Sequence, residues 1–277
     1  MPELPDLIYI VRNLNLVLPG NKIANAYLKE PVVIRMLVHG TFAEILNGRL
    51  ITSIDRNGPF IRLRLSGYDI ICHLMLAGRF QYLPQAGKPG RHSCFSLNLD
   101  NGGALHYLDE KRMGKIYVTA GNKDYEKIPG YLEQGIDILK KDFSFELFKN
   151  KISGKRCQVR VFLMDQKIMS AIGNAYADEI LFEAGLHPKR LCSQLSIKEI
   201  EKLYEAIGKV IRWAIEMVEK AKQPIEIKVR EHLKVRNRLN APCPACGTKI
   251  RRASVLGYDA FFCPTCQPGG EKVKSLF

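Results

Sequence analysis

The chain has 277 residues, 46% of them hydrophobic, and carries 42 lysines and arginines against 28 acids, a formal charge of +14 at neutral pH. That length implies two or three units, and the apolar content excludes a disordered polymer. No apolar run approaches the roughly 18 residues of a membrane span, and neither a basic leader nor a lipidation signal opens the chain. The positive surplus points to a polyanion, nucleic acid before membrane, and the chain is expected in the cytoplasm, nucleoid-associated if bacterial.

Residues 3–18 predict a helix. Leu7, Ile10, Val11, Leu14 and Val17 recur on one face at spacings of three and four, and Gly20 stands as a stop. From 21 to about 120 the pattern changes to alternation. Ile61, Leu63 and Leu65 turn through Ser66-Gly67 into Ile70 to Leu76; Phe95, Leu97 and Leu99 turn through Asn101-Gly102-Gly103 into Leu105 and Tyr107. Short strands with regular turns predict an antiparallel sandwich. Gly121, Pro129, Gly130 and Gly135 mark a connector over about 121–142. Helices follow. Ser196-Ile-Lys-Glu199 has the capping-box pattern, and Ile200, Leu203, Ile207, Val210 and Ile211 continue it at helical spacing to Val218, with Pro224 beyond. The last stretch, from about 228, is short and basic.

Eight cysteines occur. Cys72, Cys94, Cys157 and Cys192 are scattered and read as buried or idle thiols of a reducing compartment. The other four are regular: Cys243-Pro-Ala-Cys246 and Cys263-Pro-Thr-Cys266, with 16 residues between the pairs. Each tight turn presents two thiolates, and a hairpin of that length brings the pairs together around one tetrahedral Zn²⁺. With all four positions filled by sulfur, the metal is structural. Arg236, Arg238, Lys249, Arg251 and Arg252 surround this segment. On so basic a chain they suit phosphate contacts; alone, they would read as a solvated face.

Several motifs then fall in one order. Met1-Pro2-Glu3-Leu4-Pro5, Leu163-Met-Asp-Gln166, Ile172-Gly-Asn-Ala-Tyr-Ala-Asp-Glu179, Ile180-Leu-Phe-Glu-Ala-Gly185, His187-Pro188 and the cysteine quartet together resemble the Fpg/Nei DNA glycosylases. The resemblance runs over nearly the whole chain and is strongest at 135–190 and 235–267. It implies an α+β multi-domain protein: an N-terminal antiparallel β-sandwich with a leading helix (1–130), a helical helix–two-turn–helix domain (131–234) and a C-terminal zinc-finger hairpin (235–277). The implied partner is double-stranded DNA with a damaged base or abasic site, bound by a single copy of the chain.

The resemblance also implies a chemistry. The nucleophile is the secondary amine of Pro2, freed by removal of Met1. An α-amine with pKa near 8 is neutral more often than a lysine, so it can attack C1′, expel the base and form an iminium that permits strand elimination. Glu3 is the expected general acid–base, and Glu179 a further acid near the site. Without the downstream motifs, Pro-Glu would read only as a helix leader. The flipped nucleotide leaves a gap. Leu76, Lys111 and Met113 match the residues that fill it, with Arg112 beside them; Leu76 alternatively belongs to the sandwich core. Gln166, Gly173 and Asn174 are expected toward the DNA backbone, as are Arg238, Arg251 and Arg252; Asn174 suits a left-handed turn. His92 matches a phosphate contact or is a plain surface histidine.

Two positions depart from the family. Pro59 stands where a lysine is expected after Asn57-Gly58, and Tyr258 where an arginine is expected five residues before Cys263. Asp6 replaces a common glutamate. The two neutral replacements keep a second reading open: a non-catalytic or retuned DNA-damage binder on the same scaffold.

Overall fold

The computed structural model describes residues 1–85 and 87–269, so the last eight residues of the expected finger segment lie outside the described residues. The chain divides into two compact units. The first is Met1–Glu133 with Val218–Val229; the second is Gln134–Met217 with the chain from Arg230 onward.

The first unit opens with α1, Leu4–Val17, whose Leu4, Leu7, Ile10 and Leu14 are buried. Pro5 sits in its first turn, and left-handed Gly20 follows its end. Then come β1 (Ile23–Leu28), β2 (Ile34–Met36), α2 (Phe42–Leu46), β3 (Ile51–Asn57), β4 (Phe60–Leu65), β5 (Asp69–His73), β6 (Arg79–Leu83), β7 (Ser93–Leu99), β8 (Ala104–Leu108) and β9 (Lys115–Thr119). They form a four-stranded sheet, β1-β7-β8-β6, and a five-stranded sheet, β2-β9-β5-β4-β3. The hairpins at 66–67 and 101–103 join β4 to β5 and β7 to β8, as the alternation predicts. One pairing departs from the all-antiparallel expectation: β2 runs parallel to β9. The two strands are far apart in sequence, so no hairpin turn dictates their direction.

The connector is less slack than its glycines imply. Tyr125, Ile128 and Tyr131 bury against Phe60, Ile71 and Tyr117 of the five-stranded sheet. Asn57 Nδ2 donates to the Tyr131 carbonyl at 2.6 Å, tying this segment to the β3–β4 turn.

The second unit holds α3 (Phe145–Ile152), α4 (Val159–Met164), α5 (Asn174–Ala184) and most of α6 (Ile197–Lys220). Ser196 and Glu199 make the expected reciprocal cap of α6: the Glu199 amide donates to Ser196 Oγ at 3.3 Å and the Ser196 amide to Glu199 Oε2 at 2.7 Å. The helix ends at Lys220, and a left-handed Lys222 follows before Pro224. The finger hairpin consists of β10 (Arg251–Val255) and β11 (Tyr258–Phe262). Among the described residues no helix is long and apolar enough to cross a membrane.

Candidate nucleic-acid interface and active site

In the first unit, the chain start and two loops form one neighbourhood. Glu3 is buried and precedes α1; its amide donates to Asp6 Oδ2 at 2.8 Å. Asp6 thus serves as the cap that a glutamate would have to fold back to make. Pro2 lines a narrow crevice with Asp6, Tyr9, Arg79, Glu226 and Lys228. The amine of Met1 and the ammonium of Lys228 both donate to the Leu76 carbonyl, at 3.5 and 3.2 Å. The loop that carries Leu76 therefore borders the chain start. His73, at the base of that loop, is pushed down to about 4 by burial, with Lys115 and the terminal amine adding to it. It stays neutral at cellular pH, and its Nδ1 accepts the Met75 amide at 3.2 Å.

Leu76 itself is 52% exposed, which removes the core reading. The second loop, between β8 and β9, is organised by buried Asp109. Its carboxylate accepts the amides of Lys111 (3.1 Å) and Gly114 (2.7 Å), so Lys111, Arg112 and Met113 project outward. Arg112 pairs with Glu30 at 3.0 Å. The His92 carbonyl accepts the Asp109 amide at 2.9 Å, which puts exposed His92 beside the same turn. Both loops close on buried Tyr107. A Cβ on Gly78 would lie 2.3 Å from its hydroxyl, and one on Gly114 only 1.8 Å away. Those two glycines let the Leu76 and Met113 loops converge over one ring. Pro59 is buried and neutral in the β3–β4 turn, so it brings no charge to this surface.

In the second unit, two turns at 165–173 connect α4 to α5. Gln166 braces them from within. Its Nε2 donates to the carbonyls of Met164 (3.1 Å) and Ile172 (2.8 Å), and its Oε1 accepts the Ala171 amide at 2.8 Å. The left-handed residue is Ala171, φ 60°, and not Asn174, which is the first residue of α5. Asn174 Oδ1 instead accepts from Arg160 at 2.8 Å.

That arginine belongs to a buried charge cluster that the sequence reading did not anticipate. Arg160 Nε donates to Asp178 at 2.7 Å, Arg236 donates to the same carboxylate at 2.8 Å, and both guanidinium groups donate to the Asp259 carbonyl. The Phe261 amide also donates to Asp178, at 3.1 Å. The side chains of Arg160 and Asp178 are 1% and 0% exposed. This cluster joins α4, α5, the 234–236 segment and β11. The signal in the sequence was a charge inside the apolar run Val159-Arg-Val-Phe-Leu163, which a buried helix face tolerates only with a partner. Asp178→Ala strands two arginines and is expected to cost about 3–5 kcal/mol, read as a lower denaturation midpoint. A loss under about 1 kcal/mol, the scale of an exposed pair such as Arg12–Glu219, would mean the cluster holds nothing.

Glu179 is 2% exposed and accepts three backbone amides, those of Lys234, Val235 and Arg236, each at 2.9 Å. Burial raises its pKa while the three amides oppose that rise. Both oxygens are engaged, so the geometry makes Glu179 the anchor of the 234–236 segment.

The four cysteine sulfurs lie within 4.8 Å of one another. Cys243 and Cys266 are 3.9 Å apart, Cys246 and Cys263 3.4 Å. Tetrahedral Zn–S bonds of about 2.3 Å require sulfurs about 3.8 Å apart, so the set fits one zinc ion. Cys243 and Cys263 pack with Phe182, Val235, Ile250 and Phe261, which seats the finger on α5. The hairpin tip is a two-residue turn with positive φ at Leu256 and Gly257. Tyr258 stands there, 58% exposed, beside Leu256 at 73%. Arg251 and Arg252 pair with Phe262 and Phe261, at the other end of the hairpin. At about 3.4 Å per residue, Arg251 is about 14 Å along the strand from the tip. Arg252 also pairs with Asp259 at 3.3 Å, and Arg238 is exposed and donates to the Glu231 carbonyl at 2.8 Å.

A helix–two-turn–helix element and a four-cysteine structural zinc finger in one unit, and a strand-rich unit that begins Met-Pro-Glu in the other, define the class. Family models match all three parts: the formamidopyrimidine-DNA glycosylase N-terminal domain at residues 1–116, its H2TH domain at 134–224, and the zinc finger found in FPG and IleRS at 241–269. The formamidopyrimidine-DNA glycosylase of Pelotomaculum thermopropionicum is 33% identical over 274 residues, covering 96% of this chain and 99% of the relative. That of Moorella thermoacetica is also 33% identical, covering 91% and 94%. The crystal structure of the MutM (Fpg) protein of Thermus thermophilus superimposes with a TM-score of 0.84 at 30% identity, covering 97% of this chain and all of that one. The Lactococcus lactis Fpg in complex with abasic-site DNA shares the fold, with a TM-score of 0.86 at 24% identity over 96% of this chain and all of that one. The chain belongs to the formamidopyrimidine-DNA glycosylase family.

Proposed function

We propose that the protein is a base-excision DNA glycosylase with abasic-site lyase activity, acting on double-stranded DNA that carries a damaged base or an abasic site. The observation that carries this reading is the start of the chain. Pro2, next to buried Glu3 in the chain, lines a crevice that also holds Arg79, Lys228, Asp6 and Glu226, and the exposed Leu76 loop borders the chain start. Relatives over nearly the full length bear the name formamidopyrimidine-DNA glycosylase, and a fold relative was solved with abasic-site DNA.

On this reading, Pro2 acts once Met1 is removed. Its nitrogen attacks C1′, the damaged base departs, and the resulting iminium acidifies the adjacent sugar proton, so that elimination breaks the strand. Glu3 moves protons at the sugar. Leu76, Lys111 and Met113 fill the space left by the flipped nucleotide, an apolar wedge with a charged neighbour. His92, Arg112, Gly173, Asn174, Arg238, Arg251 and Arg252 face phosphates, while Gln166 and Glu179 act by holding the segments that do. Zinc folds the finger and takes no part in the chemistry. Residues 1–130, 131–234 and 235–277 serve as the catalytic, gripping and finger parts, and one copy suffices.

A second reading rests on two residues. Buried Pro59 supplies no charge near the lesion, and Tyr258 puts a neutral ring at the finger tip. Both favour a binder with weak or redirected catalysis. A duplex with a single formamidopyrimidine or abasic site decides between them. Strand scission at the lesion with multiple turnovers is the expected result; tight lesion binding with an intact strand would establish the binder.

A further inference from the structure

Two of the scattered cysteines meet. Gln158 and Leu191 form an antiparallel bridge. The bonds beside it run from the Cys192 amide to the Cys157 carbonyl at 2.9 Å, and from the Val159 amide to the Arg190 carbonyl at 2.8 Å. That pattern makes Cys157 and Cys192 directly opposed positions of one short ladder. Opposed residues of an antiparallel pair have Cα atoms about 4.5–5.5 Å apart with both side chains on one face, inside the roughly 4.4–6.8 Å range of a disulfide. The Cys157 thiol is close enough to add to the upward shift of Cys192. Cys157 is half-buried and Cys192 buried.

We propose that Cys157 and Cys192 are a modification site: a dithiol that a peroxide converts reversibly to a disulfide, closing both ends of the helix–two-turn–helix segment. The inference does not depend on the enzymatic reading. Cys157, reachable from solvent, attacks first; the peroxide O–O bond breaks, one water leaves, and the sulfur becomes a sulfenic acid. The Cys192 sulfur then displaces the hydroxyl, a second water leaves, and the S–S bond forms. Two thiols thus give two electrons and two protons, and one peroxide becomes two waters. Burial, with the adjoining sulfur, pushes Cys192 up to about 12, which leaves the half-buried Cys157 as the thiol that a peroxide oxidises first. Intracellular disulfides of this kind are transient and redox-responsive. The stretch it encloses carries Arg160, Gln166, Gly173, Asn174 and Asp178.

The test uses full-length, zinc-loaded protein treated with near-stoichiometric hydrogen peroxide. Remaining thiols are alkylated, and the digest is mapped by mass spectrometry without reduction. The expected product links the Cys157 and Cys192 peptides. It disappears with dithiothreitol and is absent from C157S and from C192S. Thermal unfolding of the oxidised wild type should rise by a few degrees, with no rise in either variant. The proposal is overturned if Cys157 is recovered as a free thiol or a sulfinic acid, or if it is found linked to a zinc ligand.

Discussion

Replacing Cys263 by serine, or stripping the metal with a chelator, is expected to unfold the finger and loosen the unit to which it is joined. The hairpin has few apolar side chains of its own; Phe261 and Ile250 pack with the cysteines themselves and with Phe182 of α5. Four thiolates within 4.8 Å repel one another unless a cation holds them. In zinc-finger peptides the apparent metal-binding energy, on the order of 10–16 kcal/mol, is folding energy. The damage spreads because Cys263 is a structural junction. Its amide donates to Gln267 Oε1, and Gln267 donates onward to the Leu186 carbonyl after α5. The same hairpin supplies the Asp259 carbonyl and the Phe261 amide to the Arg160–Asp178–Arg236 cluster. Amide exchange over residues 243–267 should become fast without zinc, and protection of α5 should fall. A hairpin that stays protected after metal removal would show that packing alone folds it.

Blocking the chain start is the second large effect. An N-terminal extension that survives processing turns the Pro2 nitrogen into an amide, whose lone pair is delocalised into the carbonyl and is no longer nucleophilic. Strand scission should fall beyond detection while affinity for abasic-site DNA stays within about twofold, because phosphate contacts, and not the amine, supply most of the affinity. Glu3→Gln should leave the amine intact and slow the reaction by about 10²–10⁴-fold, the usual worth of a positioned acid–base group. If the extended chain cleaves at the normal rate, Pro2 is not the nucleophile.

What the sequence disclosed follows from where its constraints are local. The zinc ligands were legible because one metal demands two tight turns at a fixed spacing. The Ser196–Glu199 cap and the 66–67 and 101–103 hairpins were legible because neighbours in sequence make them. The Asp178 cluster was not, since its members come from segments 18 and 58 residues apart. Only the isolated charge at Arg160 hinted at it. Tyr107 reads as an ordinary strand residue, yet two glycines from separate loops close on its hydroxyl. Gln166 matched a DNA-facing motif, but its amide is occupied within the turn, a matter of side-chain direction that spacing does not encode. Cys157 and Cys192 looked idle because nothing local reveals a ladder across 35 positions.

The central claim is that the Pro2 nitrogen captures a sugar carbon. Borohydride reduction of a mixture of the Met1-processed protein with abasic-site duplex tests it most directly, because reduction fixes an iminium as a stable bond. The account predicts a one-to-one covalent adduct whose cross-linked peptide begins at Pro2. A complex that binds the duplex but yields no adduct, or an adduct mapped to a lysine such as Lys228, would contradict it.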